Sequence, residues 1–204
     1  NFKKVFFQNE FFDLLSTTFY YTFFGTVGSI VFGILTAQLV NQKFFGRTFM
    51  RSVLLFPYVG PVVALAYTWE LLLDPYSGTL NNLLMNFQVI QEPLNLLGQK
   101  YLTINFFGFD FKLRLALTTV IIFEIWRYFP LAFLFILARL QAVPKELYEA
   151  AEVDGAGPLQ KFTNITLPQI TAVISILFMI RFIWNFNKFE DIFLLTGGAS
   201  GTRT

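Results

Sequence analysis

The sequence predicts an all-helical, polytopic membrane bundle, and three observations carry that reading. Of the 204 residues, 55% are hydrophobic and 19% aromatic, at a mean hydropathy of +0.57. Only 14% are charged, against about 25% in an average soluble domain. The apolar residues gather into four runs, each near the ~20 residues a helix needs to cross a bilayer. Cys and His are absent, which removes disulfides, thiolate nucleophiles, imidazole bases and the usual zinc and copper ligands.

Residues 1–15 mix Lys3, Lys4, Glu10 and Asp13 with five Phe and predict an interfacial helix. The first span covers about 16–40, uncharged, with Gly25, Gly28 and Gly33 available for close helix contact. The second covers about 49–73 and is kinked by Pro57 and Pro61 around Gly60. The polar connection 74–112 follows, where one or two surface helices are expected. The third span is about 113–140, with Glu124, Arg127 and Pro130 inside it. The fourth is about 165–186 and opens at Leu167-Pro168. The whole of 1–204 reads as one transmembrane domain. Asn1 is not a starter Met, no leader is evident and the sequence stops in a polar stretch, so the chain reads as the middle of a longer protein.

Orientation follows from the basic residues of the short loops. The 41–52 loop has Lys43, Arg47 and Arg51 and no acid, and the 139–165 stretch has Arg139, Lys145 and Lys161. Both are placed in the cytoplasm, which leaves 74–112 and 187–204 outside. The net charge of +2 is spread over helix ends and gives no sign of nucleic acid.

The loop 141–165 carries the most informative pattern. Pro144 suits the first turn of a helix, the residues from Lys145 to Glu152 are mostly good helix formers, and Gly155 suits a left-handed stop. A helix of about three turns, roughly 16 Å long, is expected. Glu149-Ala150-Ala151, three residues, Gly155, nine residues and Ile165-Thr166-Leu167-Pro168 fill seven fixed positions. This spacing resembles the EAA loop of type I, binding-protein-dependent ABC importer permeases. An ordinary amphipathic helix would be the plain alternative for any one residue, but not for the spaced set. Leu55-Phe56-Pro57, Trp69, Gly78, Asn81 and Leu84 are similar to the carbohydrate-importing branch of that family. So are Asn1-Phe2, Phe11, Leu15 and Thr18, and the run Phe186 to Asp191 leading into Leu194 to Gly198. One departure is Ala199, where that branch commonly has Pro.

The resemblance implies a permease subunit of the cytoplasmic or inner membrane that moves a sugar or sugar-like solute by alternating access, with further helices expected on both sides of the region present here. It implies a second, non-identical permease chain, two cytoplasmic ATP-binding subunits and an extracytoplasmic solute-binding protein as partners. Glu146, Tyr148, Glu149, Ala150, Ala151 and Gly155 would make or shape the ATPase contact. ATP and Mg would be held by the partner subunits, with no cofactor on this chain and no covalent chemistry.

Ionisable groups in a span are functional candidates by default. Glu124 and Arg127 are three apart and share a helix face, so they either neutralise each other structurally or line a polar path. Trp126, Tyr128, Trp184 and Asn185 would offer a sugar stacking faces and hydrogen bonds, or else pack against neighbours and lipid. Because Arg127 has Glu124 beside it, a neutral solute is favoured over an anion. The same architecture carrying an amino acid or phosphonate is the near alternative. A membrane enzyme lacks the usual catalytic residues, and an ion-coupled transporter would have no use for the docking helix. The Gly197 to Thr202 loop lacks the Lys of a phosphate-binding loop.

Overall fold

The computed structural model describes residues 9–99, 101–106 and 109–197, with side chains described outside 9–10, 104–106 and 109–111. The readings attached to residues 1–8, to Lys100 and to 198–204, Ala199 included, lie outside the described residues. The chain divides into two compact units, residues 1–59 with 125–186, and residues 60–124 with 187–204.

Helix α1, Asn9–Asn41, opens the first unit. The expected interfacial helix is not separate: from Asn9 onward it runs straight into the first span. No Gly or Pro interrupts 9–24, and the Ser16 and Thr17 hydroxyls donate to the Asp13 carbonyl at 2.9 and 2.8 Å. Such back-bonding satisfies a hydroxyl in apolar surroundings without breaking the ladder. Gly46, at φ +83°, then turns the chain into α2, Arg47–Val59.

The second unit begins where α2 stops. The expected single kinked span is instead two helices, α2 and α3, Val62–Leu72. Pro61 is the cause. It has no N–H and disfavours a helical residue before it. Its own ψ is 127°, and its carbonyl accepts from Leu65 N at 3.0 Å to start α3.

Helix α4, Thr79–Asn86, is pinned by the buried Asn81 amide, which donates to Leu94 O at 2.9 Å and accepts from Leu94 N at 3.1 Å. The rest of the connection is not helical among the described residues. Strands β1, Leu102–Phe106, and β2, Phe109–Leu113, pair antiparallel with Leu102 opposite Leu113. The alternation Leu102-Thr103-Ile104-Asn105-Phe106 and Phe109-Asp110-Phe111-Lys112-Leu113 has a period of two, the spacing of a strand rather than a helix.

Helix α5, Leu115–Gln141, gives its first ten residues to this second unit and the remainder to the first. In the second unit Trp69 meets Phe123 edge to face at 5.3 Å, and α3 packs on α8, Glu190–Thr196, burying Leu195.

The core of the first unit lies between α1, the later part of α5 and α7, Pro158–Phe186. Ile30, Ala37, Phe129, Phe133, Ile136, Ile170 and Leu177 fill it. Gly33 sits where any Cβ would be 2.6 Å from Ala132 Cβ and 2.9 Å from Phe133 N, so α1 and α5 touch backbone to backbone there.

Among the described residues, Phe11–Asn41, Leu115–Gln141 and Pro158–Phe186 are long and apolar enough to cross a membrane. The bent pair α2 and α3 adds a fourth span if the two act as one. Large apolar side chains remain exposed along them, such as Phe32, Leu35, Phe135, Ile176 and Ile183. A soluble surface rarely carries so many together.

Candidate functional site

The loop ahead of α7 folds as helix α6, Lys145–Val153. It is shorter than the three turns expected, about 14 Å at 1.5 Å per residue, because Pro144 stands outside it as the N-cap with ψ 133°. Its end is a full Schellman stop. Ala156 N donates to Ala151 O at 2.8 Å, Gly155 N donates to Glu152 O at 3.0 Å, and Gly155 takes φ +76°. No atom would crowd a Cβ at Gly155, so the backbone angle alone calls for glycine there.

Six residues of this loop were candidates from the sequence. Glu146, Glu149, Ala150 and Gly155 are exposed, and Ala151 is half-buried. Leu147 and Val153 extend the exposed face with apolar surface. Tyr148 is the exception. It is half-buried, and its hydroxyl lies 2.9 Å from Thr166 Oγ1 on α7. Glu152 reaches Lys161 Nζ at 2.6 Å. That hydrogen bond and the ammonium charge hold the Glu152 carboxyl below its ordinary value.

The base of α7 is widened into a π turn over Phe162–Thr166. Pro168 accounts for it. In an α-helix its ring would press on the Asn164 carbonyl and leave that carbonyl without a donor. The wider turn has Leu167 N donating to Phe162 O, five residues back. Arg139 of α5 donates to Gln169 O at 2.9 Å and to its Oε1 at 2.6 Å, clamping the same region.

The intramembrane candidates fall into two groups. In the first unit, Tyr128 is a centre: the Arg181 guanidinium lies 4.2 Å from its ring centroid, that of Arg127 5.0 Å, and Tyr58 meets it edge to face at 6.0 Å. Asn185 is buried and donates to Thr26 Oγ1 at 3.3 Å. Trp126 packs against the hydrophobic core and Trp184 is 53% exposed, so these two are not gathered with Tyr128 around a common point by any described contact.

In the second unit Glu124 is fully buried, and Lys188 Nζ lies 3.3 Å from its Oε2 and 3.0 Å from Asp191 Oδ2. The sequence offered Arg127 as the partner of Glu124; the ion pair described for Glu124 is with Lys188. Lys188 and Asp191 were not singled out as site residues, nor were Thr22, Thr26 and Ser29. The last three had a signal, since buried polar residues at i, i+4 and i+7 mark one face of an otherwise apolar helix. A cleft of about 320 Å³ in the second unit, lined by Glu70, Asp74, Asn95, Gly98 and Leu195, contains none of the sequence-chosen site residues. Backbone N–H groups of Ser77 and Tyr76 and the Ser77 hydroxyl hold the Asp74 carboxyl below its ordinary value.

The chain is 36% identical over 196 residues to the inner membrane ABC transporter permease protein YcjO of Escherichia coli (strain K12), covering 96% of this chain and 63% of that one. It is 31% identical over 204 residues to the trehalose/maltose transport system permease protein MalF of Thermococcus litoralis, covering all of this chain and 64% of MalF. The chain thus spans under two thirds of the length of these relatives. Among solved structures it is similar to a bacterial alginate ABC transporter in complex with an alginate pentasaccharide-bound periplasmic protein, at a TM-score of 0.72 and 25% identity. That likeness covers 88% of this chain and 58% of the other. A family profile matches residues 29–202, and the chain belongs to that family, the inner membrane components of binding-protein-dependent transport systems.

Proposed function

We propose that this chain is one permease subunit of an ATP-driven importer that carries a sugar or sugar-like solute across the membrane. The observation that carries the reading is α6. All seven spaced positions from Glu149 to Pro168 are filled: Glu149, Ala150 and Ala151 lie on the largely exposed α6, Gly155 is its stop, and Ile165, Leu167 and Pro168 form the base of the apolar α7. Small side chains at Ala150 and Ala151 admit close docking, and Glu149 offers a charge-assisted hydrogen bond to a basic partner.

In this reading a second permease chain completes the path, two cytoplasmic ATP-binding subunits seat α6, and an extracytoplasmic binding protein delivers solute. ATP and its Mg are bound by those subunits, and closure of the ATPases displaces α6 and switches the path between its two faces. The chain itself does no covalent chemistry. The names of similar proteins, among them a trehalose/maltose permease and an alginate transporter, support a carbohydrate. Glu124, Trp126, Tyr128, Trp184 and Asn185 are offered as residues along the path.

A second reading concerns charge. Two guanidinium groups over one Tyr128 ring favour a sugar bearing an acid group over a neutral one. The similarity to an importer of alginate, an acidic polysaccharide, points the same way. Competition of uptake by uronic-acid sugars against neutral sugars separates the two.

Glu149→Lys in the full-length chain tests the main reading. Loss of both ATPase co-purification and ATP-dependent uptake, with expression and melting unchanged, is expected. Unchanged association and uptake would overturn it.

A further inference from the structure

The junction between α6 and α7 has a weak place and a bridge across it. The weak place is the π turn Phe162–Thr166, where Leu167 N reaches back five residues to Phe162 O and the α-helical ladder is interrupted. A displacement of α6 that reached α7 only through the backbone of 154–161 would pass through this turn and be absorbed by it. The bridge is the Tyr148 hydroxyl. It meets the Oγ1 of Thr166, the last residue of the π turn, at 2.9 Å, across 18 residues of chain. Thr166 is itself 6% exposed, and its hydroxyl also lies 3.4 Å from Lys161 O, five residues back. The contact is therefore sheltered, anchored and placed at the far end of the turn, four residues past its start.

A second side-chain link from α6 to α7 is of a different kind. Glu152 and Lys161 form an ion pair whose acid is 65% exposed, and Lys161 precedes the π turn. Exposed pairs contribute little and are screened by salt. It cannot carry a push past the turn.

We infer that Tyr148 is a positioning residue for transport, a strut that carries the motion of α6 to the far end of the π turn, where α7 resumes, through Thr166. The inference rests on α6 being the helix that docks on the ATPase. Its role differs from that of Glu149, since Glu149 is exposed whereas Tyr148 is half-buried and meets Thr166 at the base of α7. Loss of the strut should leave docking intact and spoil the conversion of ATP turnover into uptake.

The test uses the full-length chain in the assembled importer, with Tyr148→Phe, Thr166→Val, the double variant and Thr166→Ser. Three quantities are measured: ATPase co-purification, ATP hydrolysis rate, and solute taken up per ATP. Tyr148→Phe and Thr166→Val should each keep co-purification and hydrolysis while lowering solute per ATP by about three- to tenfold, the scale of one neutral hydrogen bond. The double variant should be no worse than either single one, and Thr166→Ser should keep wild-type coupling because it keeps the hydroxyl. Unchanged solute per ATP in both single variants would overturn the strut, as would additive losses in the double variant or a Thr166→Ser as poor as Thr166→Val. Failure of the docking reading looks different: Glu149→Lys would then leave association intact.

Discussion

The Lys188 ammonium lies 3.3 Å from the carboxylate of Glu124, a residue 64 positions earlier in the chain, and Glu124 is fully buried. Asp191, also fully buried, takes the other side of the same ammonium at 3.0 Å. Removing one partner from a buried charge cluster leaves the rest to bear their desolvation. Lys188→Met should therefore lower stability by about 3 kcal/mol. Glu124→Gln should cost less, because the amide oxygen still accepts from Lys188. Thermal melts of the full-length chain in lipid nanodiscs check the order; equal losses would argue against the ammonium as the centre.

The glycines of α1 make a second, graded prediction. At Gly33 an added methyl meets Ala132 Cβ at 2.6 Å and the Phe133 backbone nitrogen at 2.9 Å, neither of which can swing away. At Gly28 the nearest atoms belong to the Ile125 side chain, whose end can rotate. Gly33→Ala should cost about 2 kcal/mol, within the usual range for overpacking, and Gly28→Ala clearly less. Melting both variants in lipid, with wild type alongside, decides it.

Much of this was legible in the sequence, and what was not has a physical cause. The apolar runs showed the spans because a bilayer demands length and composition together. The Glu149 to Pro168 spacing showed the loop because each fixed position has a local job, whether helix former, left-handed stop or proline. The break at Gly60-Pro61 and the π turn before Pro168 were harder, since a proline can kink, break or widen a helix and only the surroundings decide. The hairpin 102–113 was missed although its period of two was present, because its Phe and Leu also suit a helix. The Lys188 bridge to Glu124 could not be read at all. It depends on two distant stretches meeting, and the one local hint was that Lys188 and Asp191 stand three apart.

The exposed pair Glu152–Lys161 gives a pH prediction whose sign is set by the direction of the shift. The Glu152 carboxyl is held below its ordinary value of 4.5, first by the Lys161 hydrogen bond and then by its charge. A depressed carboxyl contributes stability that is full above the unfolded value and lost as pH falls through the folded one. The loop 152–161 should thus be better protected in wild type than in Glu152→Gln near neutral pH, and the gap should close in acid, below the ordinary value of 4.5. Raising salt should narrow it at neutral pH as well. Amide exchange of the two proteins, compared at each pH and salt, reads this directly. A gap that persisted in acid would mean that Glu152 acts there by packing rather than by charge.

Two buried polar groups on facing helices separate structure from transport. Thr22 Oγ1 is buried with no hydrogen-bond partner among the described residues, whereas Asn185 Nδ2 donates to Thr26 Oγ1 at 3.3 Å and its Oδ1 has no partner among them. Replacing an unsatisfied hydroxyl by a methyl of the same shape removes a desolvation cost and no bond. Thr22→Val should therefore leave stability unchanged or slightly raised. Asn185→Leu breaks the Thr26 bond and should cost about 1 kcal/mol. If the free carbonyl of Asn185 serves a solute hydroxyl on the path, Asn185→Leu must also cut uptake by far more than that loss of fold explains, about tenfold or greater, since an unmet polar group at a binding site is heavily discriminated. Uptake and melting measured on the same preparations give the comparison. An Asn185→Leu chain that melts lower yet transports at the wild-type rate would confine Asn185 to joining α1 and α7.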